Sequence, residues 1–311
     1  MTVVPPAAGE PRRPDGPRNP GDAWVVAPSG EKYWGRFGAA GLLAVDAERG
    51  ILLQHRVAWS HFGGTWGLPG GALHEGESAI LGAVREAQEE AGVPDASVRP
   101  RFTSVLDLGI WSYTTVVADV VVPFEPVISD PESVALEWVP LDEVSSRPLH
   151  PGFGNAWPVL RELLDVRPTV VVDAANVVGS VPDGWWKDRA GAATRLADEL
   201  NGLSVGADDL NLGGTSWFPP VAFVVEGAAR GMDAPDVGES DALLPAGVVS
   251  VVTAEAAGDD AIVAEVERRV ALGEYVVAVT SDRELRERVS AAGAAQVRSA
   301  GWLRGMGRAT R

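Results

Sequence analysis

The chain of 311 residues contains no cysteine. Disulfides, zinc–thiolate sites and thiol nucleophiles are therefore excluded, and the composition fits a reducing cytoplasm. Basic residues are scarce beside acidic ones, 26 Lys+Arg against 43 Asp+Glu, for a formal charge of −17. A nucleic-acid binder working through a broad basic surface is disfavoured, because phosphate contacts need clustered Lys and Arg. Contact with phosphates through a bound metal stays open. No apolar run is long enough to span a bilayer, so no membrane contact is expected, and MTVVPPAAGEPRRPDGPRNP at the N-terminus lacks an apolar h-region. Rich in Pro, Gly and Arg, residues 1–21 are expected to form a disordered tail. No internal repeat is visible.

What remains reads as ordinary globular protein, 46% hydrophobic and 22% charged, and long enough for two domains. Apolar runs of strand length alternate with helical patterns, which indicates α/β or α+β construction. The clearest joint lies near Asp165 to Pro168. Before it, PVLRELLD has helical spacing of Val159, Leu160, Leu163 and Leu164; after it, TVVVDAANVVG opens a new buried strand. The expected domains are residues 22–165 and 166–311. Acidity is shared, −10 up to residue 165 and −7 beyond it, so neither half is a basic module.

The segment GGALHEGESAILGAVREAQEEAGV, Gly70–Val93, holds five glutamates and one arginine. A helix is expected from Ser78 to about Ala91, stopped by Gly92. Ile80, Ala83, Val84, Ala87 and Ala91 make one apolar stripe. Glu86, Glu89 and Glu90 lie off it and cluster about one turn, where like charges either raise a pKa or recruit a cation. A solvated acidic face, with Arg85 pairing Glu89, is the plainer alternative. The loop Leu68-Pro69-Gly70-Gly71 argues against it: it allows close backbone approach and can offer a carbonyl oxygen, while Glu77 stands where it can bond Arg85 or the loop amides.

From Gly71 through Glu77 and Arg85-Glu86-Ala87-Gln88-Glu89-Glu90-Ala91-Gly92-Val93, the segment resembles the Nudix box, G-x5-E-x7-R-E-U-x-E-E-x-G-U, with Ala87 at the apolar position. FGAAGLLAV before it, and TTVVADVVV and ALEWVPLDEV after it, look like the other strands of a Nudix α/β/α sandwich with a mixed sheet. The resemblance implies hydrolysis of a diphosphate linked to another moiety, with Mg²⁺ or Mn²⁺ as cofactor. By motif position it implies metal binding by Glu86, Glu89, Glu90 and the Gly70 carbonyl, and loop orientation by Arg85 and Glu77. Glu132 is the candidate outside the box for general base or added ligand. Trp59, His61 and Trp66 are candidates at the pocket mouth. The substrate is expected to be a nucleotide, first a MutT-like triphosphate, with ADP-ribose, a dinucleotide, or nucleotide recognition by an RNA-processing protein as alternatives. LDLGIWSY lacks the proline common in ADP-ribose hydrolases, Tyr113 falls late for the diadenosine class, and His150 stands nearest the base-reading position.

In the second half, Asp173 and Asn176 follow a buried strand, Asp259 opens a helix, and Asp282 follows another strand. This order resembles the NYN or YacP-like branch of PIN-domain ribonucleases, an α/β domain with a mostly parallel sheet. It implies that Asp173, Asp259 and Asp282 share a metal ion and that RNA is a partner, with Glu226 in an uncertain role. Acids at helix caps and strand ends are also common for purely structural reasons.

Overall fold

Short runs of small, β-branched and aromatic residues build the strands of this chain, in a computed structural model that describes residues 1–5, 20–182, 184–233, 235 and 247–308. Two compact units result, one of Met1–Arg161 and one beginning at Glu162. Their division falls inside a helix, slightly ahead of the joint expected at residue 165.

In the first unit, β1 (Thr2–Val4), β2 (Trp24–Val26) and β3 (Lys32–Trp34) form a small antiparallel sheet. The tail expected over residues 1–21 is thus wrong at its start, where the β-branched run TVV pairs with WVV. Residues 6–19 of that tail lie outside the described residues. The main sheet is built from β4 (Ala39–Asp46), β5 (Gly50–Arg56), β8 (Val98–Asp107), β9 (Ser112–Val120) and β10 (Ser133–Val139), with the short strands β6 (Trp66–Gly67) on β5 and β7 (Gly70–Ala72) on β4. Its order is β10-β5-β4-β9-β8, and it is mixed, because β4 and β9 run parallel while the other pairs are antiparallel.

Helix α1 (Ala79–Ala91) lies on β4 and β7. Ser78 caps its start, accepting from the Leu81 amide, and Gly92 ends it at φ 64°, a left-handed conformation that costs glycine little. The apolar stripe Ile80, Ala83, Val84, Ala87 and Ala91 is buried throughout. Helix α2 (Pro151–Leu163) follows β10 and buries Phe153, Trp157 and Leu160.

The second unit is organised by five strands, β11 (Pro168–Asp173), β14 (Val221–Val225), β15 (Val249–Thr253), β16 (Tyr275–Val279) and β17 (Gln296–Arg298). Between the first two lie α3 (Ala174–Gly179), α4 (Arg189–Leu200), β12 (Leu203–Gly206), α5 (Ala207–Leu210) and β13 (Ser216–Trp217). The five strands are all parallel, in the order β15-β14-β11-β16-β17. α6 (Gly258–Ala271) and α7 (Arg283–Ala291) pack their Ile262, Val266, Leu285 and Val289 on the sheet residues Val171, Ala222, Val224, Val276 and Ala278. Strand order reverses between β11 and β16, the edge where parallel sheets leave a crevice at their carboxyl ends.

Candidate active site

The glutamates of α1 are not a solvated acidic face. Glu86 is 2% exposed and Glu90 8%, whereas the Glu89 side chain is 52% exposed. Helical spacing alone puts Glu86 and Glu90 off the apolar stripe; the loop ahead of the helix folds back against both, and Gln54 of β5 meets Glu90 from the sheet. That approach depends on glycine. A Cβ on Gly71 would meet the Glu86 carboxylate at 2.5 Å, and one on Gly70 would meet the Ala40 carbonyl oxygen at 2.5 Å.

Arg85 and Glu77 tie the loop to the helix. Arg85 Nε donates to Glu77 Oε1 at 2.8 Å, Nη2 to Glu77 Oε2 at 3.0 Å and to the Ala72 carbonyl at 3.1 Å, and Nη1 to Glu86 Oε1 at 2.7 Å. Glu77 Oε2 also accepts from the His74 amide at 2.9 Å. Burial disfavours charge on both partners, but their mutual hydrogen bonds outweigh it: Glu77 is held below the usual carboxylate range and Arg85 above the usual guanidinium value. Arg85 Nη1 lies 3.5 Å from Glu89, a weaker pairing than the one it makes with Glu86.

Glu90 is the strained member of the set. Its Oε2 accepts the Gly70 amide at 2.9 Å and Gln54 Nε2 at 3.3 Å. Burial first, then repulsion from Glu86, pushes its carboxyl well above the ordinary range; Glu132 adds to the push, while the Gly70 amide and Arg56 oppose it. A buried carboxylate facing another carboxylate is stable in its charged form only with a cation nearby.

The fold also brings in side chains that have no mark in the sequence. Gln54 and Arg56, on β5, reach the glutamates because β5 sits beside β4 in the sheet. Arg56 lies between two environments. On one side its Nη2 is 3.9 Å from Glu132 Oε2 and its charge acts on Glu90. On the other, its Nε donates to the His61 carbonyl at 3.3 Å, and its charge helps keep the His61 and His150 imidazoles neutral after burial has done most of that work, His150 falling to about 4. His150 arrives through pairing of its segment with β6: its amide donates to the Trp66 carbonyl at 2.7 Å. The rings of His61, Phe62 and His150 run in sequence, with centroids 4.2 and 4.8 Å apart. Trp66 is instead packed, stacked on His55 at 4.7 Å under Arg147, and Trp59 is exposed. Tyr113 of β9 places its hydroxyl against Gly41 of β4; burial and the nearby Glu90 and Glu86 raise its pKa against the pull of Arg56, so it stays protonated.

Among the described residues no three His, Cys, Asp or Glu side chains form a ready-made metal cage. The donor set nonetheless suits a hard divalent cation, being oxygen throughout and anionic, with the buried Gln54 Oε1 accepting no hydrogen bond among the described residues.

The NUDIX domain family matches residues 35–163. A Mycobacterium tuberculosis protein named "Putative 8-oxo-dGTP diphosphatase 3" is 47% identical over 171 residues, covering 52% of this chain and 76% of that protein. The chain belongs to the Nudix family. A Bifidobacterium longum protein named "Nucleoside triphosphate pyrophosphatase/Nudix hydrolase fusion protein" is 42% identical over 154 residues, 47% of this chain and 32% of that protein. The crystal structure of a Nudix hydrolase from M. smegmatis is 45% identical, covers 46% of this chain and 95% of its own, and has a TM-score of 0.44. The chain is thus an enzyme, a Nudix-type pyrophosphohydrolase, and enzymes of this family generally use divalent cations and act on nucleotides. No helix among the described residues is long and apolar enough to cross a membrane.

Beyond the Nudix unit, the acids singled out in the second unit do gather at the edge where its strand order reverses. Asp173 accepts the Asn176 amide at 3.0 Å and the Thr280 hydroxyl at 2.9 Å; Asn176 Oδ1 accepts the Ser281 amide at 2.9 Å. Asp282 caps α7 through the Leu285 amide at 2.8 Å, and Glu226 accepts the Gly258 amide at 2.8 Å. Burial raises Asp173 and Asp259 above the usual range; Asp259 and Glu226 push Asp173 further, and Asp282 and Glu226 push Asp259. Asp173, Asp282 and Glu226 therefore each hold a structural hydrogen bond while repelling their neighbours.

Proposed function

We propose that the Nudix unit hydrolyses a nucleoside triphosphate to the monophosphate and pyrophosphate, as MutT-like enzymes do. The name of the mycobacterial relative supports an oxidised purine deoxynucleotide as the first substrate to try. The observation that carries the reading is Glu90, a buried carboxylate repelled by Glu86 and held by the Gly70 amide. Glu86, Glu89 and Glu90, with the Gly70 carbonyl, are the residues that would hold Mg²⁺ or Mn²⁺. Such a cation screens the charge of the diphosphate and acidifies an attacking water.

The chain's own groups do the rest. Arg85 and Glu77 fix the loop against the helix, so that the carboxylates keep their places as substrate arrives. Arg56 supplies positive charge beside them, suited to a phosphate oxygen. The neutral rings of His61, Phe62 and His150 lie beyond it, in reach of a base whose phosphates sit on Arg56. Glu132, beside Arg56, is the acceptor for the proton of water; Glu132→Gln at saturating metal tests that role through the acidic limb of the kcat profile.

The test is kcat/KM for oxidised and ordinary deoxynucleoside triphosphates, ADP-ribose and a dinucleoside tetraphosphate, each with and without Mg²⁺. Preference for triphosphates with pyrophosphate as product supports the reading. Turnover confined to ADP-ribose or the dinucleotide replaces it, and binding without turnover favours nucleotide recognition by an RNA-processing protein.

A second reading concerns the other unit. Mutual repulsion among Asp173, Asp259, Asp282 and Glu226 is consistent with a shared divalent cation, and the resemblance to PIN-domain ribonucleases makes single-stranded RNA the substrate to try. A labelled RNA, incubated with Mn²⁺ and the full chain or its Asp173→Asn variant, tests it: cleavage by both or by neither removes the role.

A further inference from the structure

The hydrogen bonds of Glu90 divide its two oxygens. Both fall on Oε2, one from the Gly70 amide at 2.9 Å and one from Gln54 Nε2 at 3.3 Å. Gln54 is fully buried, and its Nε2 is also fixed by donation to Ser133 Oγ at 2.8 Å, at the start of β10. One amide thus links β5, β10 and α1. Its other end, Oε1, is buried and accepts no hydrogen bond among the described residues. Buried acceptors without donors are unfavourable and rare, and glutamine is a poor choice for a site where Leu or Met would pack without that penalty.

We propose that Gln54 is a positioning residue for Glu90: it holds Oε2 in place, so that Oε1 alone is presented to the divalent cation, and its own Oε1 accepts from a donor that arrives with the hydrated cation. The inference rests on the metal-binding reading of Glu90 given above. Mg²⁺ sheds its waters reluctantly, so a buried acceptor beside its ligands is matched to the hydrogens those waters carry. Groups that orient a ligand in this way commonly change metal affinity by about 10- to 100-fold when removed. Ser133 acts one step further out, by setting the rotamer of the Gln54 amide.

The experiment is calorimetric titration of Mn²⁺ into the full chain as wild type, Gln54→Met, Ser133→Ala and Glu90→Gln, beside the Mg²⁺ dependence of hydrolysis. Gln54→Met is expected to weaken Mn²⁺ binding by about 10-fold or more. It should raise the Mg²⁺ concentration for half-maximal rate by a similar factor, with kcat at saturating Mg²⁺ reduced less. Its metal-free Tm should stay within a few degrees of wild type, because the unpaired acceptor leaves with the amide. Ser133→Ala, which removes only a hydroxyl, should shift Mn²⁺ affinity the same way by a few-fold and keeps the test available should Gln54→Met fold poorly. Wild-type Mn²⁺ affinity in both variants, with Glu90→Gln impaired, overturns the role of Gln54 and leaves the metal site standing. Unchanged affinity in all three overturns the metal reading of Glu90, and this inference with it.

Discussion

Two groups of carboxylates stand in this chain, and they are used differently. In the second unit Asp173, Asp282 and Glu226 each accept a backbone amide at a helix start or loop, so each has local structural work. In the Nudix unit Glu86 and Glu90 are buried and repel each other; Glu86 pairs with the adjacent Arg85, and Glu90 is held from outside its helix by the Gly70 amide and Gln54. Acids that cap helices contribute to folding without any ligand. Buried, mutually repelling acids cost stability until a cation joins them. Asp173 shares burial and repulsion with Glu90, both being 8% exposed, so it is the family match over residues 35–163 that makes the first unit the stronger candidate for metal-dependent chemistry.

The comparison is sharpened most by removing a buried charge that Arg85 fixes. Glu86→Gln should lower kcat by about 100-fold or more while leaving the circular dichroism of the fold unchanged. A loss below tenfold at saturating Mg²⁺ would place Glu86 on the structural side, with Asp173. Gly71→Ala comes next. Its Cβ meets the Glu86 carboxylate at 2.5 Å, backed by Arg85, so either the loop or the Glu86 carboxylate with its Arg85 pair must shift. Overpacking of this kind costs about 1–3 kcal/mol. Denaturant midpoints should register that cost, and activity should fall by at least about tenfold if loop placement matters as much as charge.

How much of this was legible beforehand follows from range along the chain. The box residues lie within one loop and one helix, so Gly71, Glu77, Arg85 and the three glutamates stand out by spacing. Gln54 and Arg56 do not, because they reach the glutamates only through pairing of β5 with distant segments; His150, singled out by its place near the base-reading position, comes under the charge of Arg56 through pairing of its segment with β6. Burial of Glu86 and Glu90 was equally hidden, since helical periodicity puts both off the apolar stripe and they are covered by the returning loop and, for Glu90, by Gln54 of β5. In the opposite direction, the Pro-rich stretch after Val4 masked a strand whose β-branched residues were in plain view.

Arg56→Ala tests a smaller effect. Loss of the cation that contacts both Glu132 and the His61 carbonyl should raise KM for a nucleoside triphosphate by about tenfold and lower kcat less, because phosphate binding weakens in ground and transition states alike. An unchanged KM would confine Arg56 to the protein's own ion pairing.

Smaller still is the effect of pH on the metal-free protein. Glu90 has its folded pKa raised, so the folded state keeps a proton that the unfolded state loses above the ordinary carboxylate value. Stability from this group is therefore full at acidic pH and falls as pH rises from about 4.5 through the folded value. The metal-free Tm should drop by a few degrees toward pH 8, Mg²⁺ should restore more of it at pH 8 than at pH 5, and Glu90→Gln should flatten both trends. A metal-free Tm slope unchanged by Glu90→Gln would mean that Glu90 is solvated.

The most direct measurement sets one residue of each cluster against the other: Mg²⁺-dependent release of pyrophosphate from a deoxynucleoside triphosphate by the full chain carrying Glu90→Gln or Asp173→Asn. Glu90→Gln is expected to lose about 100-fold or more in kcat, and Asp173→Asn to match wild type. Wild-type turnover by Glu90→Gln, or its loss in Asp173→Asn with the fold intact, would contradict the assignment of hydrolysis to the buried glutamates of the Nudix unit.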